Sequence, residues 1–335
     1  MPDAITIRNL TKTFGPKVAV KNLDLSVPQG SLCGFIGPNG AGKTTTIRMI
    51  MSIIFPDSGE LSVLGKASAI ESKDRIGYLP EERGVYRKMR VLPFLTYMAR
   101  LKGLDAGAAK RKSLDWLGRM GLGDVARKRC EELSKGMQQK VQFISAVIHE
   151  PDLLILDEVF SGLDPVNRRL MRELIEEQHK SGRTIVFSTH AMYEAEQLCD
   201  RVFMIHRGVK VLDDTLADIR ARFDPKTIVV EPLNTGETAV QRRFPDIEST
   251  LRSFPGVSHV ERDRDGFSLG VAEGAEPSRL MAELAAAIPG GVRRIELKRV
   301  NLEDVFIDLV QSTAGQHVDR ADLRNPAAEE EPAHV

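Results

Sequence analysis

Cysteine, unbroken apolar sequence and net charge are all scarce in this 335-residue chain. Its three cysteines, Cys33, Cys130 and Cys199, are far apart and odd in number, with no CxxC pair. That excludes a disulfide framework and a thiolate zinc site and leaves buried free thiols. No stretch approaches the ~20 apolar residues that a spanning helix needs; the longest apolar runs, such as Leu153 to Leu156, are strand-sized and end in charge. The opening MPDAITIRNL carries polar and acidic residues where a signal peptide has an apolar core. A cytosolic chain is expected, with any membrane role falling to a partner that spans. Lys+Arg and Asp+Glu balance at 47 each, which argues against a nucleic-acid backbone as the main partner. Internal repeats and sustained heptads are missing as well.

What is present is a length suited to one large domain and a smaller one, and a regular alternation of patterns. Ile5 to Leu10 and Leu23 to Val27 alternate as half-buried strands do, and Gln29-Gly30 marks a turn. Ser31 to Ile36 is a compact apolar strand running straight into glycine. After Thr44, Ile47, Ile50 and Ile54 fall at helical spacing. Helical periodicity occupies about 90–132, and strands return at 153–156, 184–188 and 201–205, the first two joined by a helix over 167–181. Strands alternating with helices imply a parallel sheet wrapped by helices. The composition changes near Phe223-Asp224-Pro225. Beyond it, TIVVEPL, FSLGVAE and VRRIELKRV read as strands and 277–288 as a helix, a small α/β appendage with no motif that carries chemistry. The closing ADLRNPAAEEEPAHV reads as a disordered tail.

Three segments carry chemistry. Gly37-Pro38-Asn39-Gly40-Ala41-Gly42-Lys43-Thr44 matches GxxxxGK[ST] at every fixed position. Its glycines let backbone N–H groups turn inward around phosphates, and a helix N-terminus adds positive potential. Lys43 reaches the β- and γ-phosphates, and the Thr44 hydroxyl can ligate Mg²⁺. Second, Leu153 to Leu156 ends in Asp157-Glu158: Asp157 can hold Mg²⁺, and Glu158, one residue on, can polarise an attacking water. Alone, such a run is an ordinary strand leaving the core. Third, Ser134 heads a helix whose apolar residues include Val141, Ile144 and Ile148, with Gly136 in its first turn. By itself this is a simple capped helix, or an anion site.

The order of these segments resembles the ATP-binding subunits of ABC transporters over residues 5 to about 222. LSKGM at 133–137 is similar to the family's LSGGQ signature, Ser161-Gly162-Leu163-Asp164 to its D-loop, His190 to its switch histidine, and Phe14 to the aromatic that stacks on adenine. The resemblance implies a P-loop NTPase α/β fold. It has a parallel sheet core, an antiparallel N-terminal β subdomain, an inserted helical subdomain and a small C-terminal α/β domain. The expected boundaries are 1–223 for the nucleotide-binding domain, with the helical subdomain at about 90–150, then 224–312, then a disordered 313–335. ATP and Mg²⁺ are the implied ligands. Phe14, residues 37–44, Thr45, Ser134, Gly136 and Asp164 would contact nucleotide, and Thr44, Asp157 and Glu81 the metal. Glu158, His190 and Lys43 would carry hydrolysis.

The same resemblance implies a head-to-tail homodimer or paired ATPase subunits. Each ATP then lies between the P-loop of one copy and Ser134 and Gly136 of the other. It also implies an integral membrane permease reached through residues 77–87 and the helical subdomain, and a place on the inner face of the cell membrane. Two departures stand out. Lys135 and Met137 replace a glycine and a glutamine of the signature, and Glu81 stands where the Q-loop carries glutamine, adding negative charge near a γ-phosphate. Val300 to Phe306 resembles the C-terminal domain of sodium-exporter and ABC-2 types, which favours an exporter. The alternatives are a soluble ABC-type ATPase acting on nucleic acid or ribosomes, or a P-loop kinase. The first usually carries two cassettes or a long coiled-coil insert, neither of which is here; the second gives no reason for Ser134, Asp164 and His190 in that order.

Overall fold

A computed structural model describes residues 2–82, 84–224, 226–233, 247–263, 265–288 and 290–314. The chain divides into two compact units, Met1–Ala217 with the chain from Leu302 onward, and Asp218–Asn301.

The first unit opens with two long strands, β1 (Asp3–Phe14) and β2 (Lys17–Pro28), antiparallel to one another, with β4 (Ser58–Val63) on the other side of β1. β3 (Leu32–Ile36) runs through the middle of a six-stranded sheet ordered β5-β6-β7-β3-β8-β9. Its members are β5 (Ile76–Leu79), β6 (Leu153–Asp157), β7 (Thr184–Thr189), β8 (Arg201–His206) and β9 (Val209–Thr215). The first five strands of that order are parallel and β9 turns back antiparallel on β8. Strands buried on both faces must read as continuous apolar runs, and β3 and β6 are buried at every residue. The short sheet and the large one share a core that includes Ile5, Leu23, Phe35, Ile47, Ile155 and Phe203. Each such side chain contributes about 1.5–3 kcal/mol on burial.

Helix α1 (Lys43–Ile50) leaves the end of β3 through the glycine-rich turn. α2 (Val91–Leu101) and α3 (Ala106–Arg119) pack on each other and on α4 (Lys135–Val147). α4 is tied down by buried glutamines: Gln139 donates to the Val159 carbonyl at 3.2 Å and Gln142 to the Glu82 carbonyl at 3.0 Å. α4 also presses against β5, where a Cβ on Gly77 would stand 2.2 Å from the Ala146 carbonyl oxygen, so only glycine fits. α5 (Pro165–Lys180) connects β6 to β7, and α6 (Met192–Leu198) connects β7 to β8. α7 (Leu216–Arg222) follows β9.

The second unit contains an antiparallel sheet ordered β11-β12-β10-β13. Its strands are β10 (Thr227–Pro232), β11 (Val257–Arg262), β12 (Phe267–Val271) and β13 (Val292–Leu297), with helix α8 (Pro277–Ala287). Its core is its own, centred on Ile228, Val230, Leu251, Phe267, Leu269, Leu280 and Leu284. The division differs from the expected break at 223/224 at both ends: 218–223 belongs with the second unit, and α9 (Leu302–Ala314) belongs with the first. The reason for the latter is an apolar face, Leu302, Val305, Phe306 and Val310, buried within the first unit. Residues 315–335 of the expected disordered tail lie outside the described residues. No helix among the described residues is long and apolar enough to cross a membrane.

Candidate active site

At two positions the loop between β3 and α1 has no room for a side chain. A Cβ on Gly37 would meet the Ile205 carbonyl oxygen at 2.2 Å, and one on Gly42, whose φ is 110°, would meet the Ala19 carbonyl oxygen at 2.6 Å. β8 and β2 therefore brace the loop from outside, and Gly208 adds a backbone bond to the Ala41 carbonyl at 2.8 Å. Lys43, the first residue of α1, is buried and curls back over the loop. Its ammonium donates to the carbonyls of Gly37 at 2.8 Å and Pro38 at 3.2 Å and lies 3.7 Å from Glu158 Oε1. Burial lowers its pKa, opposed first by the Glu158 charge.

Glu158 is the first residue past β6 and is 7% exposed. Its φ of 49° is left-handed, a state that costs a non-glycine residue about 1–2 kcal/mol. Its amide donates toward Ser188, to both the backbone carbonyl and the hydroxyl at 3.2 Å. This kink turns the carboxylate toward Lys43 on one oxygen and toward His190 on the other, where Nδ1 lies 3.0 Å from Oε2. The Glu158 bond raises the His190 pKa against burial, so the charged imidazolium is favoured. Asp157 is fully buried. Its Oδ1 accepts from the Ser188 hydroxyl, while Oδ2 is buried with no hydrogen-bond partner among the described residues. Burial raises its pKa.

Phe14, residues 39–45, Glu81 and Glu158 line one cleft of 430 Å³, together with Lys17 and Ala19. The structure thus brings the loop, the half-exposed Phe14 ring, the metal candidate Glu81 and the carboxylate strand to one place. Thr45 and Thr44 sit in the first turn of α1 on its wall. Two participants escaped the sequence reading. Lys17 reaches the cleft because hairpin register pairs it with Phe14, and Ser188 reaches Asp157 because β6 and β7 pair those residues. A lone serine inside the apolar TIVFST run was the available signal for the second.

Ser134, Gly136 and Asp164 do not line this cleft. Ser134 is exposed and caps α4, its hydroxyl accepting from the Met137 amide at 3.3 Å. Asp164 is exposed and caps α5, accepting from the Asn167 amide at 2.9 Å, a bond that lowers its pKa. Among the described residues no group of three or more His, Cys, Asp or Glu could hold a metal by itself. A cation at Asp157 would therefore need oxygens from a hydroxyl, water or phosphate.

A family profile described as "ABC transporter" matches residues 20–161, and one described as "ATP-binding protein DrrA1-3-like, C-terminal domain" matches 215–310. The chain is 40% identical to an uncharacterized ABC transporter ATP-binding protein, YhaQ, of Bacillus subtilis, over 91% of this chain and 98% of that one. It is 35% identical to the linearmycin resistance ATP-binding protein LnrL of the same organism, over 91% and 97%. It is 33% identical to the Nod factor export ATP-binding protein I of Burkholderia lata, over 92% and 98%. A solved structure titled as the ATP binding subunit of an ABC transporter superposes with a TM-score of 0.61 at 30% identity, covering 66% of this chain and 93% of that chain. The chain belongs to the ABC transporter ATP-binding proteins, P-loop ATPases whose family hydrolyses ATP to drive transport.

Proposed function

We propose that this chain powers an exporter by hydrolysing ATP between two copies of itself, each seated on a separate membrane permease. The observation that carries the reading is the meeting of Lys43 and His190 on the two oxygens of Glu158, whose side chain lines the cleft floored by the glycine loop. Phe14 offers an aromatic face for adenine and residues 37–45 offer inward amides and Lys43 for the phosphates. Glu158, held by His190 on one side, accepts the proton of the attacking water; His190 donates toward the γ-phosphate. The unpartnered Asp157 Oδ2 is the kind of buried oxygen that a divalent cation satisfies, and it fits Mg²⁺ held with Thr44, with Glu81 close by. Bound there, Mg²⁺ would neutralise charge on the β- and γ-phosphate oxygens.

The second copy is invoked because Ser134, Gly136 and Asp164 stand on helix caps outside this chain's own cleft. A second P-loop facing them completes both sites at once. Residues 77–87 and the helices within 90–150 are the proposed permease contact. The nucleotide-binding role then falls to residues up to Ala217 together with α9, and the C-terminal domain to Asp218–Asn301, in place of the expected 1–223 and 224–312. Export follows the names of two relatives, one a resistance protein and one a Nod factor exporter.

The test is Glu158→Gln in the full chain. Turnover should fall about 10²–10⁴-fold while ATP affinity is kept. The variant should also run as a dimer in ATP on size-exclusion chromatography. Native turnover would remove Glu158 from catalysis, and a monomer in ATP would remove the second copy.

A further inference from the structure

The motif at the start of α9 has no part in the chemistry above, yet it lies beside it. Asn39, His190 and Tyr193 share a cavity of 310 Å³ with Glu303, Phe306 and Ile307. α9 is fastened at two points. The Leu302 amide donates to the Glu196 carboxylate on α6, and the Phe306 ring meets the His206 ring edge-on, centroids 5.6 Å apart at 75°. Both anchors lie on elements that adjoin the active site. α6 begins two residues after His190, and His206 ends the strand whose Ile205 carbonyl bars a Cβ at Gly37.

His190 itself is loosely held. Half of its side chain is exposed, and among the described residues its side chain hydrogen-bonds only Glu158. The turn that carries it is fixed locally by the Ala191 amide on the Thr189 hydroxyl at 3.0 Å, and then by α6. From outside the sheet α6 is held by α5, through the Arg172–Glu194 ion pair at 2.9 Å, and by α9.

We propose that α9 is a positioning element of the ATPase site, with Phe306 and the Leu302–Glu196 bond holding the His190 turn in register with Glu158. The inference rests on the reading of His190 given above. Four residues, 298–301, join β13 of the second unit to α9, so a displacement of that unit pulls on α9 through the chain and on the His190 turn through the non-covalent contacts of α9 with α6. The appended unit then acts on hydrolysis without contributing a group to it.

The test compares purified full-length variants for turnover, ATP affinity and melting. Phe306→Ala should lower turnover about 10-fold with affinity unchanged within about twofold, since a small misplacement of a catalytic group costs rate before binding. Phe306→Leu should recover most of it. Glu196→Ala should lower turnover and Glu196→Gln, which keeps an acceptor oxygen, should restore it. In a His190→Ala background, Phe306→Ala should cost nothing more, because the group it positions is gone. Full turnover in both alanine variants overturns the proposal, as does a loss confined to affinity or one that is undiminished in the His190→Ala background. Should Phe306→Ala fail to fold, the half-buried Glu196 pair decides alone. If His190→Ala keeps native turnover while Phe306→Ala does not, the assignment of His190 has failed instead.

Discussion

The carboxylate end of β6 and the caps of α4 and α5 are built in opposite ways. Asp157 and Glu158 are buried, Glu158 on left-handed backbone, and they have partners from three segments: Lys43, Ser188 and His190. Ser134 and Asp164 are exposed, and each bonds the backbone amide three residues on in its own helix. The first arrangement spends left-handed backbone and buried charge on geometry that folding alone does not require. The second is what any capped helix shows. A site completed by its own chain is recognised by strain and desolvation. One that waited for a second chain, as proposed for Ser134 and Asp164, would look like ordinary surface.

The largest effect that separates the two regions comes from putting their defects in different copies. Lys43→Ala removes a buried ammonium from the phosphates and should weaken ATP binding about 10- to 100-fold. Ser134→Glu sets a negative charge at the α4 cap and should stop hydrolysis without touching that chain's own cleft. Co-expressed, the two should recover about a quarter of native turnover, because random pairing gives half mixed dimers, each with one intact site. A mixture as inactive as its parents would place Ser134 in its own chain's site, and the comparison would collapse.

A smaller effect probes the buried region through pH. The Glu158 bond raises the folded pKa of His190 above its ordinary 6.5, with Lys43 opposing it and Glu81 supporting it. A raised folded pKa contributes stability that is fully present below 6.5 and is lost as pH rises through the folded value. The native chain should therefore melt above His190→Gln at pH 6, by about 2 °C for a half-exposed pair, and the gap should close by pH 9. A gap that widened with pH would mean that His190 is held neutral, as the Nδ1–H tautomer donating to the Glu158 carboxylate.

The two regions also differ in how far sequence could show them. Residues 37–44 and the run into Asp157-Glu158 are contiguous, so the residue types and their spacing are the geometry. The alternation that marked Ile5 to Leu10 and Leu23 to Val27 belongs to β1 and β2, longer strands that extend to the hairpin at Phe14 and Lys17. β5 and β11 went unseen: β5 is only four residues long, and β11 buries just one of its six side chains, so neither offers a period to count. Lys17 and Ser188 enter the site through pairing between distant segments, which no local pattern encodes. In the sequence, α9 groups with the appendage it follows. Only the packing of Phe306 and Val310 shows that the chain returns to the first unit.

Asp164 gives the finest test, because its two candidate roles ask for different atoms. As a cap, it needs one side-chain oxygen for the Asn167 amide, and asparagine supplies that as well as aspartate. As a contact across a dimer, it needs its charge, which asparagine lacks. Asp164→Ala should lower the melting temperature by about 2–4 °C, the ordinary consequence of losing a cap, and Asp164→Asn should restore it. Turnover then divides the cases. If Asp164→Asn hydrolyses ATP at the native rate, Asp164 ends α5 and does nothing more. If it melts normally yet turns over several-fold more slowly, the exposed carboxylate acts on a partner, and the surface that looks ordinary is half of an active site.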